Sequence, residues 1–364
     1  MPPKTTTWDL EPHTRGKHLV LERYMQAWLP IMTSWNGRVL FIDAFAGPGE
    51  YSGGEPGSPV IALRTLINHS ARSRIRSEVN YLFIENEKSR SKHLEGILVN
   101  LKGQIPPSCN YEVITSTFDE TLTEVLDYIE EQRTRLAPAF VMIDPFGVSG
   151  TPMTTIARIL ENPRSEVYIS FMYEWINRFK SQDEFGGHLD NLFGCPDWRR
   201  GLDIAGSEGT RNFYYNLYKS QLKKNGAKYV VHFELYEGNR HVYTIFFGTQ
   251  HLDGCDRMKE AIWKVDPFGE FRFRGGLLDQ LTLGTDIIDF SPLEQDLRAE
   301  FASKGWQKIE DVEDFVKSDA TVFHSGQLKR NTLRPMEIDG KLEIKPGTRK
   351  RVRTYPTGTE LRFL

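Results

Sequence analysis

The stretch RVLFIDAFAGPGEYSGG, from Arg38 to Gly54, joins an apolar run to a loop of glycine and proline through an acidic residue. In a sheet wound with helices on both faces, ligands bind beyond the carboxyl ends of the strands. Asp43 ends the predicted first strand. Gly47 and Gly49 allow turns and a close approach of the backbone to a bound group. The stretch therefore predicts a ligand-binding loop, with an ordinary tight strand-to-helix turn as the alternative.

The loop does not have the pattern of a phosphate-binding loop. No Gly-Lys-Ser/Thr follows it, so it lacks the lysine and the magnesium ligand of a nucleotide P-loop. Only GPG matches the dinucleotide pattern GxGxxG. An NAD-dependent enzyme is therefore disfavoured.

Short apolar runs alternate with helical patterns through the first half of the chain, which predicts a parallel sheet with helices on both faces. The predicted strands are 38–43, 80–85, 111–116, 139–144 and 166–171. A polar-aromatic helical insert is predicted over 172–228, and two strands joined at EGN are predicted over 228–249. Five parallel strands followed by an antiparallel hairpin is the architecture of Rossmann-like class I S-adenosylmethionine-dependent methyltransferases.

Composition limits the class of protein. With 364 residues, 39% of them hydrophobic, the chain can form one large core and a smaller second one. No run approaches the roughly 18 apolar residues of a membrane helix, so we expect a cytoplasmic protein without a membrane partner. Three separated cysteines, Cys109, Cys195 and Cys255, predict reduced thiols and argue for no metal site.

Two further strand ends carry residues suited to a nucleoside. Glu85 ends the second strand, where an acid accepts hydrogen bonds from ribose hydroxyls. Phe118 and Asp119 follow the third strand, at the position where methyltransferases contact adenine. For Asp119 the alternative is a helix N-cap.

The fourth predicted strand ends in Asp144-Pro145-Phe146-Gly147. An apolar strand with this kind of ending is typical of methyltransferases that act on exocyclic amino groups of bases. The Asp144 carboxylate and the Pro145 carbonyl would accept the amine hydrogens and direct its lone pair toward the methyl donor. Phe146 would offer a face to a flipped-out base. These three residues are the predicted catalytic group.

The tetrapeptide occurs a second time, as Asp266-Pro267-Phe268-Gly269. This copy follows a helical pattern, MKEAIWKV, so it is interpreted as a helix stop followed by a turn. The position at a strand end distinguishes the first copy.

Six stretches of the chain resemble the three-Cys-motif partner protein family, a methyltransferase-like group called TcmP. In order along the chain, they are HTRGKHLVLERYMQAWLP, FIDAFAGPGEY, YLFIENE, MIDPFG, NLFGCPDWRR and FFGTQHLDGCDRMKEAIWKV. The resemblance implies S-adenosylmethionine as cofactor and a partner protein with a three-cysteine motif. It places the methionine portion of the cofactor at Asp43, Phe45, Ala46, Gly47 and Gly49, with Glu85 at the ribose and Asp119 at the adenine.

The same resemblance brings Lys17 and Tyr24 of the N-terminal helix close to the site; a solvated lysine and a packed tyrosine are the alternative. The Asp-Pro-Phe-Gly form is also similar to the fourth-strand motif of tRNA guanine-N2 dimethyltransferases. Phe146 stands where the Asp-Pro-Pro-Tyr families carry a second proline, which argues against adenine-N6 chemistry.

The methyltransferase domain is predicted over 1–285, and a winged helix-turn-helix over 292–364. Its expected partner is RNA or DNA, through phosphate contacts of a recognition helix over 324–334 and a basic wing over 345–353. A solvated face or a protein contact is the alternative. The residues chosen for these contacts are Lys329, Arg330, Arg349 and Arg351.

The insert adds Trp175 and Arg199, which could bind a base or a phosphate or could simply pack. Two functions follow from the sequence. The first is a methyltransferase acting on an exocyclic amino group of a nucleic-acid base. The second is a catalytically silent methyltransferase fold that binds nucleic acid or serves as a scaffold for its partner.

Overall fold

The computed structural model describes residues 5–237, 240–267 and 288–364, together with the backbone of 272–273. Its main sheet has the strand order β3-β2-β1-β4-β5-β7-β6-β8. The strands are β1 (Arg38–Asp43), β2 (Glu78–Ile84), β3 (Cys109–Ile114), β4 (Ala139–Ile143), β5 (Glu166–Phe171), β6 (Tyr229–Glu237), β7 (Arg240–Thr249) and β8 (Arg272–Phe273).

Strands β1 to β5 are parallel, and β7 runs antiparallel to both β5 and β6. The prediction of five parallel strands followed by an antiparallel pair is therefore confirmed. The predicted turn at EGN includes Gly238 and Asn239, which lie outside the described residues.

The two faces of the sheet are covered by different helices because alternate side chains of each strand point to opposite faces. In β4, Phe140 and Met142 join the core formed with α1 and α9, whereas Val141 and Ile143 join the core formed with α4 and α5. These helices, with the two other crossover helices, are α1 (Pro12–Trp35), α2 (Ser58–Ile67), α3 (Lys88–Leu101), α4 (Phe118–Glu131), α5 (Met153–Leu160) and α9 (Leu252–Val265).

The segment between β5 and β6 is helical and packs against the second of these cores. It contains α6 (Tyr173–Phe179), α7 (Gly186–Phe193) and α8 (Ser207–Lys224). Helix α6 starts two residues after β5 ends, so its side chains lie beside the carboxyl edge of the sheet.

The C-terminal region combines short helices with a three-stranded antiparallel sheet of order β10-β11-β9. Its elements are α10 (Ser291–Phe301), β9 (Gln307–Lys308), α11 (Ile309–Lys317), α12 (Arg334–Ile338), β10 (Leu342–Ile344) and β11 (Glu360–Phe363). The predicted recognition helix over 324–334 is not one regular helix. A 3-10 turn at Ser325–Gln327 and a π-helical turn at Lys329–Leu333 precede the five-residue α12.

Helix α9 holds this region in place. The buried Lys259 ammonium donates to the carbonyls of Val316, Ser318 (2.6 Å) and Thr321 (3.1 Å). Asp256 accepts from both the backbone and the hydroxyl of Ser325, each at 2.7 Å. Helix α9 ends at Val265, as the interpretation of the second Asp-Pro-Phe-Gly predicts, although Phe268 and Gly269 lie outside the described residues.

Within the described ranges, none of the helices is both long enough and apolar enough to cross a bilayer.

Candidate active site

Three acidic residues lie at the carboxyl edge of the sheet. Asp43 pairs in register with Phe83 of β2 and Met142 of β4. Glu85 and Asp144 each stand two positions beyond those partners, so the register places them beside the same edge as Asp43. The sequence predicts an acidic residue at each of three strand ends, and in the structure all three lie at the same edge of the sheet.

Glu85 fixes the loop that follows β1. Its Oε2 accepts from the Gly47 amide at 2.9 Å, and its Oε1 accepts from the Glu87 amide at 2.8 Å. Gly47 and Gly49 have φ of 62° and 85°, which glycine adopts at little cost. A Cβ on Gly49 would also lie 2.6 Å from Leu94 of α3. The glycine positions are therefore required by the backbone path of the loop.

Asp43 is fully buried beneath this loop. Its Oδ1 accepts from the Phe45 amide at 3.2 Å, whereas in the described chain no hydrogen bond of good geometry reaches its Oδ2. Burial raises the pKa of Asp43 to about 7, against the lowering effects of the Ser58 hydroxyl and the Phe45 amide. A buried carboxyl oxygen without a partner is a position where a bound group could donate a hydrogen bond.

Asp144 forms an ion pair with Lys17 of α1, 127 residues away in sequence. Burial alone would raise the pKa of Asp144, but the Lys17 ammonium, with hydrogen bonds from Lys17 and Ser170, holds it below its ordinary value. The Tyr168 hydroxyl donates to the Lys17 carbonyl at 3.1 Å, and the Lys17 ammonium lies 5.6 Å from the centre of the Tyr243 ring. Only 3% of Lys17 is exposed, so the alternative of a solvated lysine is wrong.

Tyr24 does not lie beside Asp43, Glu85 and Asp144 at the carboxyl edge of the sheet. Its buried hydroxyl donates to Glu166, at the opposite end of the sheet, at 2.6 Å. Tyr24 is therefore the packed tyrosine of the alternative, and the expectation that it lies near the site is wrong.

The Lys17–Asp144 pair opens into a cleft of about 560 Å³. Five of the sequence-predicted residues line this cleft: Lys17, Asp144, Pro145, Phe146 and Trp175. Phe146 is 44% exposed, as a surface for stacking requires.

Sequence reasoning missed one wall of the cleft, which the segment before α1 provides. The Trp8 indole packs edge-on against Phe146 and Tyr51, with ring centres 5.5 and 6.0 Å away. Its carbonyl accepts from the Ser52 amide at 2.9 Å. The sequence signal for Trp8 is weak, since it is a single aromatic residue in a polar stretch. Other lining residues that were missed are Glu11, His13, Tyr51, Arg240, His241 and Tyr243.

The residues predicted to contact adenine have structural partners. Phe118 is buried behind Phe45, with ring centres 6.1 Å apart. Asp119 accepts from the Thr155 hydroxyl. The N-cap of α4 is Thr117, whose hydroxyl accepts from the Glu120 amide at 3.3 Å, so the N-cap alternative for Asp119 is wrong.

Arg199 does not line the cleft. It pairs with Asp190 and stacks on Trp198, with the guanidinium carbon 4.4 Å from the ring centre. These contacts agree with the interpretation of Arg199 as a packing residue.

The basic residues of the C-terminal region divide into two groups. Lys329 pairs with Glu313, and Arg349 forms a two-point contact with the Glu337 carboxylate, so both connect parts of the fold. The side chain of Arg349 is only 13% exposed. By contrast Arg330 is exposed, as are Lys350, Arg351 and Arg353 of the wing.

No known family model matches the chain, and no curated protein matches it. Among solved structures, Trm1 from Pyrococcus horikoshii with S-adenosyl-L-methionine matches at 11% identity and a TM-score of 0.38, over 71% of this chain and 61% of that one. An O-methyltransferase from Bacillus cereus in complex with SAH matches at 14% identity and a TM-score of 0.32, over 66% and 82%. The putative methyltransferase yhhF from Escherichia coli matches at 20% and 0.28, over 46% and 74%.

The chain thus spans about three fifths of the Trm1 chain that it matches. Similarity at this level extends to no individual residue. The strand order of the sheet from β3 to β6, with β7 antiparallel, is that of class I methyltransferases. The chain therefore has a class I S-adenosylmethionine-dependent methyltransferase-like fold.

Proposed function

We propose that this protein is an S-adenosylmethionine-dependent methyltransferase of the three-Cys-motif partner kind that modifies nucleic acid. One observation carries the proposal. The glycine loop over Asp43 and the Lys17–Asp144 pair belong to the same edge of the sheet, and that pair lines a cleft large enough for a base or a sugar.

The residues at the β1 loop fit this cofactor. The buried Asp43 carboxylate and the turn at Gly47 and Gly49 suit the methionine portion, together with Phe45 and Ala46. Glu85 retains lone pairs beyond its two amide contacts, so its carboxylate could also accept a hydrogen bond from a ribose hydroxyl. When bound, the cofactor supplies an electrophilic methyl group.

For an amino acceptor, the hydrogens would be accepted by the Asp144 carboxylate and the Pro145 carbonyl. Asp144 is suited to accepting because its lowered pKa keeps it ionised at neutral pH. Phe146 would stack on the base, and Trp175 and Trp8 would limit its orientation. The finer assignment, an exocyclic amino group of a base, rests on this arrangement.

A second acceptor class is favoured by Lys17. Methylation of an amine leaves a cationic nitrogen until a proton departs, and the buried Lys17 ammonium would disfavour that charge. A hydroxyl acceptor gains negative charge as it loses its proton, and the same ammonium would stabilise that charge. A hydroxyl of the nucleic acid, held by Asp144 and Lys17, is therefore the second candidate.

Transfer of a labelled methyl group from the cofactor into total RNA and DNA, followed by nucleoside analysis, tests the proposal. Label in a base amino group supports the first acceptor class, and label on a sugar hydroxyl supports the second. The Asp144→Asn variant is expected to lose transfer, and the control variant Glu131→Gln, at the exposed last residue of α4 and outside the cleft lining, is expected to retain it. Cofactor binding without any transfer would favour the catalytically silent scaffold.

Nucleic-acid binding is proposed for the C-terminal region, interpreted as a winged helix. The exposed guanidinium groups of Arg330, Arg351 and Arg353 and the exposed Lys350 support this proposal, since phosphate contacts need unpaired cations at the surface. Lys329 and Arg349 contribute less, because each already has a carboxylate partner.

A further inference from the structure

A second cavity of about 300 Å³ lies at the opposite end of the main sheet, between α1 and α9. Glu166, the first residue of β5, belongs to its lining, so the cavity is at the amino ends of the parallel strands. The Asp144 cleft lies at their carboxyl ends, so the proposed methyl transfer does not use this cavity. Its apolar and aromatic lining comes from Tyr24, Trp28, Ile31, Met32 and Trp35.

The carboxylate of Glu166 is 97% buried, since only 3% of the residue is exposed. Its Oε2 accepts from the Tyr24 hydroxyl at 2.6 Å, and its Oε1 accepts from the Thr249 hydroxyl at 2.8 Å. In the described part of the chain, no lysine or arginine pairs with it. Burial raises the pKa of Glu166 to about 7, although hydrogen bonding from Tyr24, Thr249 and the Trp28 indole lowers it. A buried carboxylate without a counter-ion is costly, and a bound cation would remove that cost.

Helix α9 packs its backbone directly against the carboxylate at one position. Gly254 lies beside Glu166, and a Cβ at Gly254 would collide with Glu166 Oε1. Any other residue would therefore force α9 away from Glu166, so a glycine here keeps the carboxylate at the wall of the cavity.

The rim of the cavity carries apolar surface that nothing in the described chain covers. Trp35 is 84% exposed and Ile31 is 44% exposed. An aromatic ring beside a carboxylate is a favourable environment for an ammonium group on an aliphatic stem, because the ring face attracts the cation and the stem covers apolar surface.

Two arginines also line the cavity, and each already donates to a neighbouring side chain. Arg257 is neutralised by Glu260 and Asp256, to which it donates. Arg164 is exposed and donates to the Asn36 side chain.

We propose that this cavity binds a primary ammonium group on an unbranched aliphatic stem, with Glu166 as counter-ion and the rings of Tyr24, Trp28 and Trp35 around the stem. The chemistry is that of a lysine side chain on a partner protein and equally that of a free aliphatic amine. The proposal is independent of methyl transfer, because neither the cofactor loop nor Asp144 takes part.

The test is a titration of the full-length protein with three probes, followed by tryptophan emission. The probes are n-butylammonium, Nα-acetyl-lysine methylamide and the same lysine derivative acetylated on its Nζ. We expect a saturable change with the two cationic probes and none with the acetylated probe. If n-butylammonium and the lysine derivative bind alike, the cavity admits a lysine side chain attached to its backbone, which supports a partner protein as the source. Binding of n-butylammonium alone assigns a free amine.

Two variants complete the test. Glu166→Gln keeps the shape of the side chain but removes its charge and replaces one acceptor oxygen by an NH2 donor, and we expect it to weaken amine binding by about tenfold or more. Glu174→Gln, which changes a carboxylate of the other cleft, should bind the amines as the wild type does. Thermal unfolding of both variants verifies that they are folded. The proposal is overturned if neither cationic probe gives a saturable response, or if Glu166→Gln binds them unchanged.

Discussion

Two carboxylates at opposite ends of one sheet, the partly buried Asp144 and the buried Glu166, behave in opposite ways. Asp144, beyond β4, has the Lys17 ammonium beside it, and its pKa lies below the ordinary value. Glu166, at the start of β5, accepts from two hydroxyl groups and has no cationic partner among the residues that the structure describes, and its pKa rises to about 7. The comparison shows that the partner decides the protonation of each group, because burial alone would raise both pKa values.

The largest effect is expected from removing the cation that pairs with Asp144. Lys17→Met leaves the partly buried Asp144 carboxylate without its cation, and we expect a loss of about 3 kcal/mol in the free energy of unfolding at pH 7. Urea denaturation measures it. In the double variant with Asp144→Asn, at least half of the loss should be recovered. The control Lys264→Met, at an exposed lysine paired with Glu260, should cost less than about 0.5 kcal/mol. Equal losses at the two lysines would contradict the role of the pair.

The second prediction concerns Glu166, where removing the negative charge of the carboxylate should stabilise the folded protein. The folded-state pKa of Glu166 lies above its ordinary value of 4.5, so its contribution to stability is fully present at pH 4 and is lost as the pH rises through 7. Glu166→Gln should therefore be more stable than the wild type at pH 8, by at most about 3 kcal/mol. The difference should disappear near pH 4.

Urea denaturation of Glu166→Gln and Asp144→Asn at pH 4, 6 and 8 gives the comparison directly. Asp144→Asn should destabilise at pH 8, because it leaves the Lys17 ammonium without its partner. The same sign for both variants at pH 8 would show that the two ends do not differ as described.

The third prediction tests the space beside Glu166. Gly254→Ala places a methyl group against Glu166 Oε1 and should destabilise the protein by about 1–3 kcal/mol. Gly96 of α3 is a matched control, since nothing lies within 4 Å of a Cβ built there. Gly96→Ala should stabilise by up to about 1 kcal/mol through helix propensity. Differential scanning calorimetry of the two variants checks both signs, and a stabilising Gly254→Ala would contradict the close contact.

The smallest effect is expected at the wing. Arg351→Ala should weaken nucleic-acid binding several-fold at low salt and lower the salt slope by about one ion. Fluorescence anisotropy at several salt concentrations measures both quantities. Lys264→Met serves as the control and should change neither. Arg349→Ala should instead lower the melting temperature, because it removes the buried partner of Glu337. Unchanged binding by Arg351→Ala would remove the wing from the proposed interface.

The parallel part of the fold follows from local patterns. Apolar runs with helical segments between them specify β1 to β5, and the rule that ligands bind at strand ends brings Asp43, Glu85 and Asp144 to one edge. The pairing of Lys17 with Asp144 could only be suggested by family resemblance, because 127 residues separate them and only the path of α1 brings them together.

Other features depend on packing that no local pattern encodes. Trp8 precedes the first helix, and its place in the cleft depends on contacts with Phe146 and Tyr51 from two separate loops. The cavity at Glu166 forms only where α1 and α9 meet over β5. The pairing of Lys329 and Arg349 with nearby carboxylates likewise depends on tertiary contacts. Counting basic residues in the sequence therefore overestimates the number of unpaired positive charges at the surface.

Calorimetric titration with S-adenosylhomocysteine tests the central claim most directly, that the Asp43 edge of the sheet holds the methyl donor. We predict saturable one-site binding to the wild type and to Glu166→Gln, which alters only the far end of the sheet. We predict that binding is lost in Asp43→Ala combined with Glu85→Ala, with circular dichroism verifying that this variant is folded. Absence of binding to the wild type, or unaltered binding to the folded double variant, would contradict the claim.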